Sequence, residues 1–237
     1  MPATMHRPIA RPRGVDLWFV PLAQPAARAA RLVAACSVRE RERAARMPVA
    51  GRRREFLLGR GIVRSVLGAY LGVAPCEVEI AVGAGGKPFL VAAGAPAFNV
   101  SHSHGLTAIA VTGGFPVGVD LERIDPRLDV GAIARRFLAV DEAAHLARLD
   151  AAERATAFLR LWTRREACAK ASGAGFTGGL GATLAPTAET AHDGPRTVVD
   201  LHPAAGYVGA LAYSASPAPV HTPDHALACL ETERPSL

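Results

Sequence analysis

The chain has 237 residues, half of them hydrophobic, with 27 basic against 21 acidic side chains, enough to bury a core in one large domain or two small ones. No window holds the roughly eighteen continuous apolar residues of a membrane helix, and Met1 to Gly14 mixes Arg and Pro without the apolar core of a signal peptide. Cys36, Cys76, Cys168 and Cys229 lie far apart with no C-x-x-C pair, which speaks against a zinc site or a disulfide framework and for a reducing cytoplasm.

In chain order, the pattern predicts a strand over Val15 to Leu22 and an Ala- and Arg-rich helix from Pro25 to about Arg46. A stronger helix over Arg52 to Leu71 carries a broad apolar face of Phe56, Leu57, Ile62, Val63, Val66, Leu67 and Tyr70, and Gly72 with Pro75 ends it. Fourteen of the 25 arginines precede residue 65, against four acids (Asp16, Glu40, Glu42, Glu55). So positive a region suits a polyanionic ligand or an acidic partner. Nucleic acid is one candidate, yet aromatic residues make up only 5% of the chain and do not interleave with the basic ones. A compact phosphate-rich ligand fits as well.

Beyond the helix, Glu77 to Val82 alternates as a strand, and Gly83 to Pro88 is a Gly-rich turn. Further strands are predicted over Ala97 to Ser101, Thr107 to Val111 and Val117 to Leu121. Helices follow over about Asp129 to Phe137, Asp141 to Leu149 and Ala151 to Ala171, then strands over Thr197 to His202, Tyr207 to Tyr213 and Ala226 to Glu231. A faint repeat runs through this order. The helix from Phe56 ends at Gly72, that from Phe158 ends at Gly173, and strands follow each. Two similar α+β halves would place their interface, and any cleft, near residues 98 to 122.

Within that interval stand Phe98-Asn99-Val100-Ser101-His102-Ser103 and Gly118-Val119-Asp120-Leu121-Glu122. On a strand, Asp120 and Glu122 share one face. Two carboxylates so placed repel each other unless a cation lies between them, and hard oxygen ligands suit Mg²⁺. The bland alternative is a solvated strand end. A third acid, Glu166, lies in Trp162 to Lys170, where Lys170 follows it by one helical turn as an i, i+4 neighbour. A surface ion pair is the dull reading of these two residues; a third metal ligand beside a phosphate-clamping lysine is the functional one. Only two lysines occur in the chain, Lys87 and Lys170.

Taken together, Gly86-Lys87-Pro88, the two strand motifs, Arg136-Phe137 with Glu142, and Trp162 through Lys170 resemble the surfactin-type (Sfp-like) 4'-phosphopantetheinyl transferases. The likeness spans residues 86 to 173, with a weaker extension back to about residue 52 through Gly59-Arg60 and Arg64. Arg165 departs from the pattern, since many relatives have Lys before the glutamate. The resemblance implies an α+β fold of two similar subdomains in pseudo-twofold arrangement, here residues 1–112 and 113–237, with the active site between them. It implies transfer of the phosphopantetheine arm of coenzyme A to a serine of an apo acyl or peptidyl carrier protein, releasing 3',5'-ADP, by a cytoplasmic monomer that binds neither nucleic acid nor membrane.

Asp120, Glu122 and Glu166 would then hold Mg²⁺ (or Mn²⁺), and Lys170 would stabilise the leaving phosphate. His102 would bond a coenzyme A phosphate with help from Ser101 and Ser103, and Lys87 with arginines among Arg52, Arg53, Arg54 and Arg60 would meet the nucleotide end. The base that takes the serine proton stays open among Glu166, a metal-bound water and Glu142. Two other readings use the same residues differently: a Mg²⁺-dependent hydrolase of nucleotide pyrophosphates, and a nucleic-acid-binding module driven by the N-terminal arginines.

Overall fold

The computed structural model describes residues 9–83, 85–173, 190–193, 196–214 and 218–223. In order these form β1 (Val15–Pro21), α1 (Ala26–Ala34), α2 (Val38–Ala45), α3 (Ala50–Leu71), a 3₁₀ turn (Pro75–Glu77), β2 (Ile80–Val82) and β3 (Pro88–Leu90). Then come β4 (Ala97–Ser103), β5 (Leu106–Thr112), β6 (Val117–Arg123), α4 (Val130–Phe137), α5 (Val140–Ala147), α6 (Ala151–Ser172), β7 (Thr190–Asp193), β8 (Arg196–Leu201), β9 (Tyr207–Tyr213) and β10 (Val220–His221).

Two four-stranded sheets carry the molecule, in the orders β10-β1-β5-β4 and β6-β9-β8-β7, and β2 with β3 makes a separate hairpin. Strand alternation sends side chains to opposite faces, and in the first sheet both faces are buried. Trp18, Val20, Ile109 and Val111 pack under α3 with Ile62, Val66 and Leu67. Their neighbours Val15, Leu17, Leu106, Ala108 and Ala110 pack instead on Val117, Val119, Leu121 and Leu211 of the second sheet. The far face of the second sheet receives α6, where Ala210 and Ala212 meet Ala167, Cys168 and Ala171. The layers therefore run helix, sheet, sheet, helix.

Small residues set the depth of the last layer. A Cβ on Gly118 would lie 2.0 Å from the Ala167 carbonyl oxygen and 2.4 Å from the Ala171 nitrogen, so only glycine lets β6 approach the α6 backbone this closely. Both long helices have 22 residues and end on left-handed glycines, Gly72 and Gly173, the usual way to stop a helix without a Cβ penalty.

Several boundaries differ from the sequence expectation. The helix expected over Pro25 to Arg46 is two helices: Ser37 caps the second, accepting from the Glu40 amide while Glu40 accepts from the Ser37 amide, a reciprocal cap that starts a new helix. The strand begun at Glu77 starts at Ile80, because the preceding residues form the 3₁₀ turn. Residues 88–90 pair as a strand where only a turn was expected. Near the other end of the chain, Val15 pairs in parallel with Val220, so the segment 218–223 returns to the first sheet. The strand expected over Ala226 to Glu231 lies outside the described residues.

Candidate active site

The two sheets meet where β4, the last strand of one, faces β6, the last strand of the other. An end strand leaves a row of backbone groups without a neighbouring strand. Here the side chains of β4 take that row. Asn99 Oδ1 accepts from the Val119 amide at 2.9 Å, Ser101 Oγ from Leu121 at 3.3 Å and Ser103 Oγ from Arg123 at 3.2 Å. Each serine also passes its own proton on: Ser101 donates to Asp120 Oδ1 and Ser103 to Glu122 Oε2, both at 2.8 Å. The period-two spacing of Asn99, Ser101 and Ser103 thus matches that of Asp120 and Glu122 across the seam.

From behind β6, α6 supplies Lys170, whose Nζ lies 2.7 Å from Asp120 Oδ1 and 3.2 Å from the Val119 carbonyl oxygen. Lys170 therefore pairs with Asp120, not with Glu166 one turn away. Asp120 is 5% exposed, and its second oxygen, Oδ2, is buried with no hydrogen-bond partner among the described residues. Burial pushes the Glu166 carboxyl above its ordinary range, and the charges of Asp120 and Glu122 add to this while Lys170 opposes it. Burial likewise raises Glu122, with Asp120 adding and the Ser103 hydrogen bond subtracting.

Three mutually repelling acids, one with an orphaned buried oxygen, form a hard oxygen donor set suited to a divalent cation. As they stand, no three acid, histidine or cysteine side chains among the described residues converge into a finished cage. One oxygen of Asp120 is taken by Lys170 and Ser101, and one of Glu122 by Ser103.

The ACPS family model, described as the 4'-phosphopantetheinyl transferase superfamily, matches residues 116–225, which include β6 and α6. The 4'-phosphopantetheinyl transferase HetI of Nostoc sp. is 40% identical over 165 residues, covering 68% of this chain and 70% of that protein. The chain belongs to the 4'-phosphopantetheinyl transferase superfamily. Its activity is that of a 4'-phosphopantetheinyl transferase. Two further relatives with that name are psf-1 of Bacillus pumilus, 32% identical over 145 residues (61% of this chain, 60% of that protein), and Sfp of Bacillus subtilis, 31% identical over 122 residues (51% and 53%). The chain spans about half of Sfp, and the match to HetI is both longer and higher in identity than that to Sfp.

The remaining residues singled out in this transferase fall in different places. His102 lies on β4 between the two seam serines, exposed to solvent, free of the bonds that occupy Ser101 and Ser103. Lys87 sits in the turn before β3. Its Nζ donates to the carbonyl oxygens of Val117 at 2.9 Å and Ala171 at 3.3 Å, and burial lowers its pKa. The ammonium expected at the nucleotide therefore caps the C-terminal end of α6. Arg60 is bound to Glu40 at 2.5 Å, and Glu40 also takes Arg64 at 2.7 Å. Burial pushes the Glu40 carboxyl up, but the Ser37 amide and the two arginines outweigh it, and its pKa falls below the ordinary value. Arg53 donates to the Met47 carbonyl oxygen. Glu142, one of the three candidate bases, is 1% exposed and is held by Arg165 and the Ala139 amide. A carboxylate so enclosed has no path to a protein substrate's hydroxyl.

The sequence reading missed Asp200 of β8, which accepts Arg164 Nε and Nη2 at 2.6 and 2.9 Å and Arg160 Nε at 2.9 Å. This fork ties the middle of α6 to the sheet, one turn before Glu166 and two before Lys170. It also assigned nothing to His104 or Tyr207, and no local motif marks any of the three.

Proposed function

We propose that this transferase moves the 4'-phosphopantetheine arm of coenzyme A onto a serine of an apo acyl or peptidyl carrier protein, releasing 3',5'-ADP. What carries the reading is the seam, where Asp120 and Glu122 are aimed by Ser101 and Ser103 with Lys170 against Asp120. Asp120, Glu122 and Glu166 would hold Mg²⁺ or Mn²⁺. Such an ion supplies charge neutralisation and orientation for the pyrophosphate. Lys170, partly exposed, reaches toward the phosphate and stabilises charge on the departing nucleotide. Glu166, beside the acceptor, takes the proton of the serine hydroxyl.

His102 donates to a coenzyme A phosphate from its exposed position on β4, and arginines of α3 meet the nucleotide end, Arg53 and Arg60 doing so only by leaving the Met47 carbonyl and Glu40. Ser101 and Ser103 serve by orienting the acids. In this reading the enzyme is a surfactin-type member with two α+β halves about a pseudo-twofold, and it works as a monomer in the cytoplasm. One chain supplies all four ionic residues of the seam, and no described helix is long and apolar enough to cross a membrane. The positive balance of the chain, net +6, suits an acidic carrier.

The test is the intact mass of an apo carrier protein incubated with the enzyme, coenzyme A and Mg²⁺. The expected result is a gain of one phosphopantetheine arm that disappears with chelator and with the acceptor serine changed to Ala. Coenzyme A cleavage with no gain on any carrier would instead show a hydrolase.

A further inference from the structure

Among the described residues, His104 is the one non-glycine with a positive φ, 42°. With Gly105 (φ 87°) it forms the two-residue turn joining β4 to β5. Turns with both central residues left-handed favour Asn-Gly; a non-glycine there is uncommon, and histidine is among the few that adopt the region more readily than most. So uncommon a conformation directs attention to what the residue touches.

The His104 ring is engaged. Its Nδ1 lies 3.0 Å from Ser103 Oγ. That hydroxyl lies 2.8 Å from Glu122 Oε2 and accepts the Arg123 amide at 3.2 Å. A serine hydroxyl has one proton and two acceptor positions. With the proton on Glu122 and one acceptor position taken by Arg123, the remaining partner must be a donor, so Nδ1 of His104 carries a hydrogen and gives it to Ser103. The turn is fastened from the second sheet as well. Tyr207 Oη donates to the His104 carbonyl oxygen at 2.7 Å, and Tyr207 stands opposite Arg123 in the β6–β9 pairing. Ring, hydroxyl and carboxylate thus form one relay whose turn is fixed at both ends.

We infer that His104 is a positioning residue: through Ser103 it fixes the orientation of the Glu122 carboxylate for a divalent cation. The inference rests on the reading that Asp120, Glu122 and Glu166 hold such an ion. His104 fills the hydroxyl's last acceptor position, so the Ser103 rotor has a single arrangement that satisfies all three partners. Without the imidazole donor the hydroxyl can turn its proton away, and Glu122 loses the bond that aims it. Partners that orient a metal ligand in this way change metal affinity by about 10- to 100-fold when removed. Because His104 is exposed, the lower end applies.

Mn²⁺ binding, followed by electron paramagnetic resonance of the free ion, tests this together with the melting temperature of the metal-free protein. His104→Gly fits the left-handed turn better than histidine and removes the donor. It should bind Mn²⁺ about tenfold more weakly with a melting temperature no lower than the parent's. His104→Asn also suits the turn and places an N–H at the same δ position, so it should restore most of the affinity. A histidine that serves the turn alone would show the opposite: unchanged Mn²⁺ binding in His104→Gly, or a loss of affinity that follows a loss of stability. Either outcome overturns the proposal, as does His104→Asn binding as weakly as His104→Gly. Glu122→Gln separates the two levels. If it weakens Mn²⁺ binding while His104→Gly does not, the relay is wrong and the metal reading stands. If wild type binds no Mn²⁺, or Glu122→Gln binds it unchanged, both fall.

Discussion

Glu166 is held in the protein at an electrostatic cost. Burial and the neighbouring acids raise its pKa above the ordinary 4.5, so between that value and the raised one the folded chain binds more protons than the unfolded chain. Stability then falls as pH rises through the window, and the full penalty is present above the raised value. Glu166→Gln removes the charge. Thermal denaturation of the metal-free variant should give a higher melting temperature than the parent at pH 7.5, with the difference vanishing near pH 4, while carrier modification is lost. A variant less stable than the parent at neutral pH would show that the acid is not under this strain. Asp120 and Glu122 were legible because strand alternation alone puts them on one face. Their partners were legible only as a motif: nothing in Ser101 and Ser103 says that they bond a strand some twenty residues on. Asp200 was invisible, since its arginines lie 36 and 40 positions away and a single acid in a short strand carries no periodic signal.

The hairpin of β2 and β3 connects with α6 through Lys87. The last carbonyls of a helix lack partners and carry partial negative charge, which a cation offsets. Nζ of Lys87 meets this need at Ala171 and reaches Val117 at the start of β6, so one side chain from the first half holds the two elements that bear the acids and Lys170. Lys87→Met should lower stability by about 1 kcal/mol and reduce kcat, with KM for coenzyme A little changed. A large rise in KM at unchanged kcat would show instead that Lys87 touches the nucleotide.

The two long helices, α3 and α6, were read close to their true ends because each stops on a glycine. The break between α1 and α2 was not, although Ser37 and Glu40 stand at the spacing of a reciprocal cap; the Ala and Arg content on either side masked the signal. β3 and β10 have three and two residues, too short for alternation to register.

At the scale of the molecule, the two sheets share one core, because the inner faces of β1 and β5 pack on β6 and β9. The seam between their end strands is polar and made by side chains. Asn99→Leu would leave the buried Val119 amide without an acceptor, costing about 2 kcal/mol; urea denaturation measures it, and a loss below about 0.5 kcal/mol would show that the seam does not bind the sheets. The two helices of the repeated helix-to-glycine pattern, α3 and α6, have 22 residues each and end on Gly72 and Gly173. The return of residues 218–223 to the first sheet had no counterpart in the sequence reading, because parallel pairing between distant segments leaves no local trace.

The seam also acts as a check on phase. If β4 slipped by one residue, Phe98, Val100 and His102 would turn toward β6 in place of Asn99, Ser101 and Ser103. The edge amides would then meet carbon, and both acids would lose the hydroxyls that aim them. The two carboxylates of β6 are therefore indexed to the odd-numbered residues of β4 in the other sheet. If these carboxylates hold the cation, a molecule assembled out of step would be inert, and turnover itself would report that the two sheets have met in register.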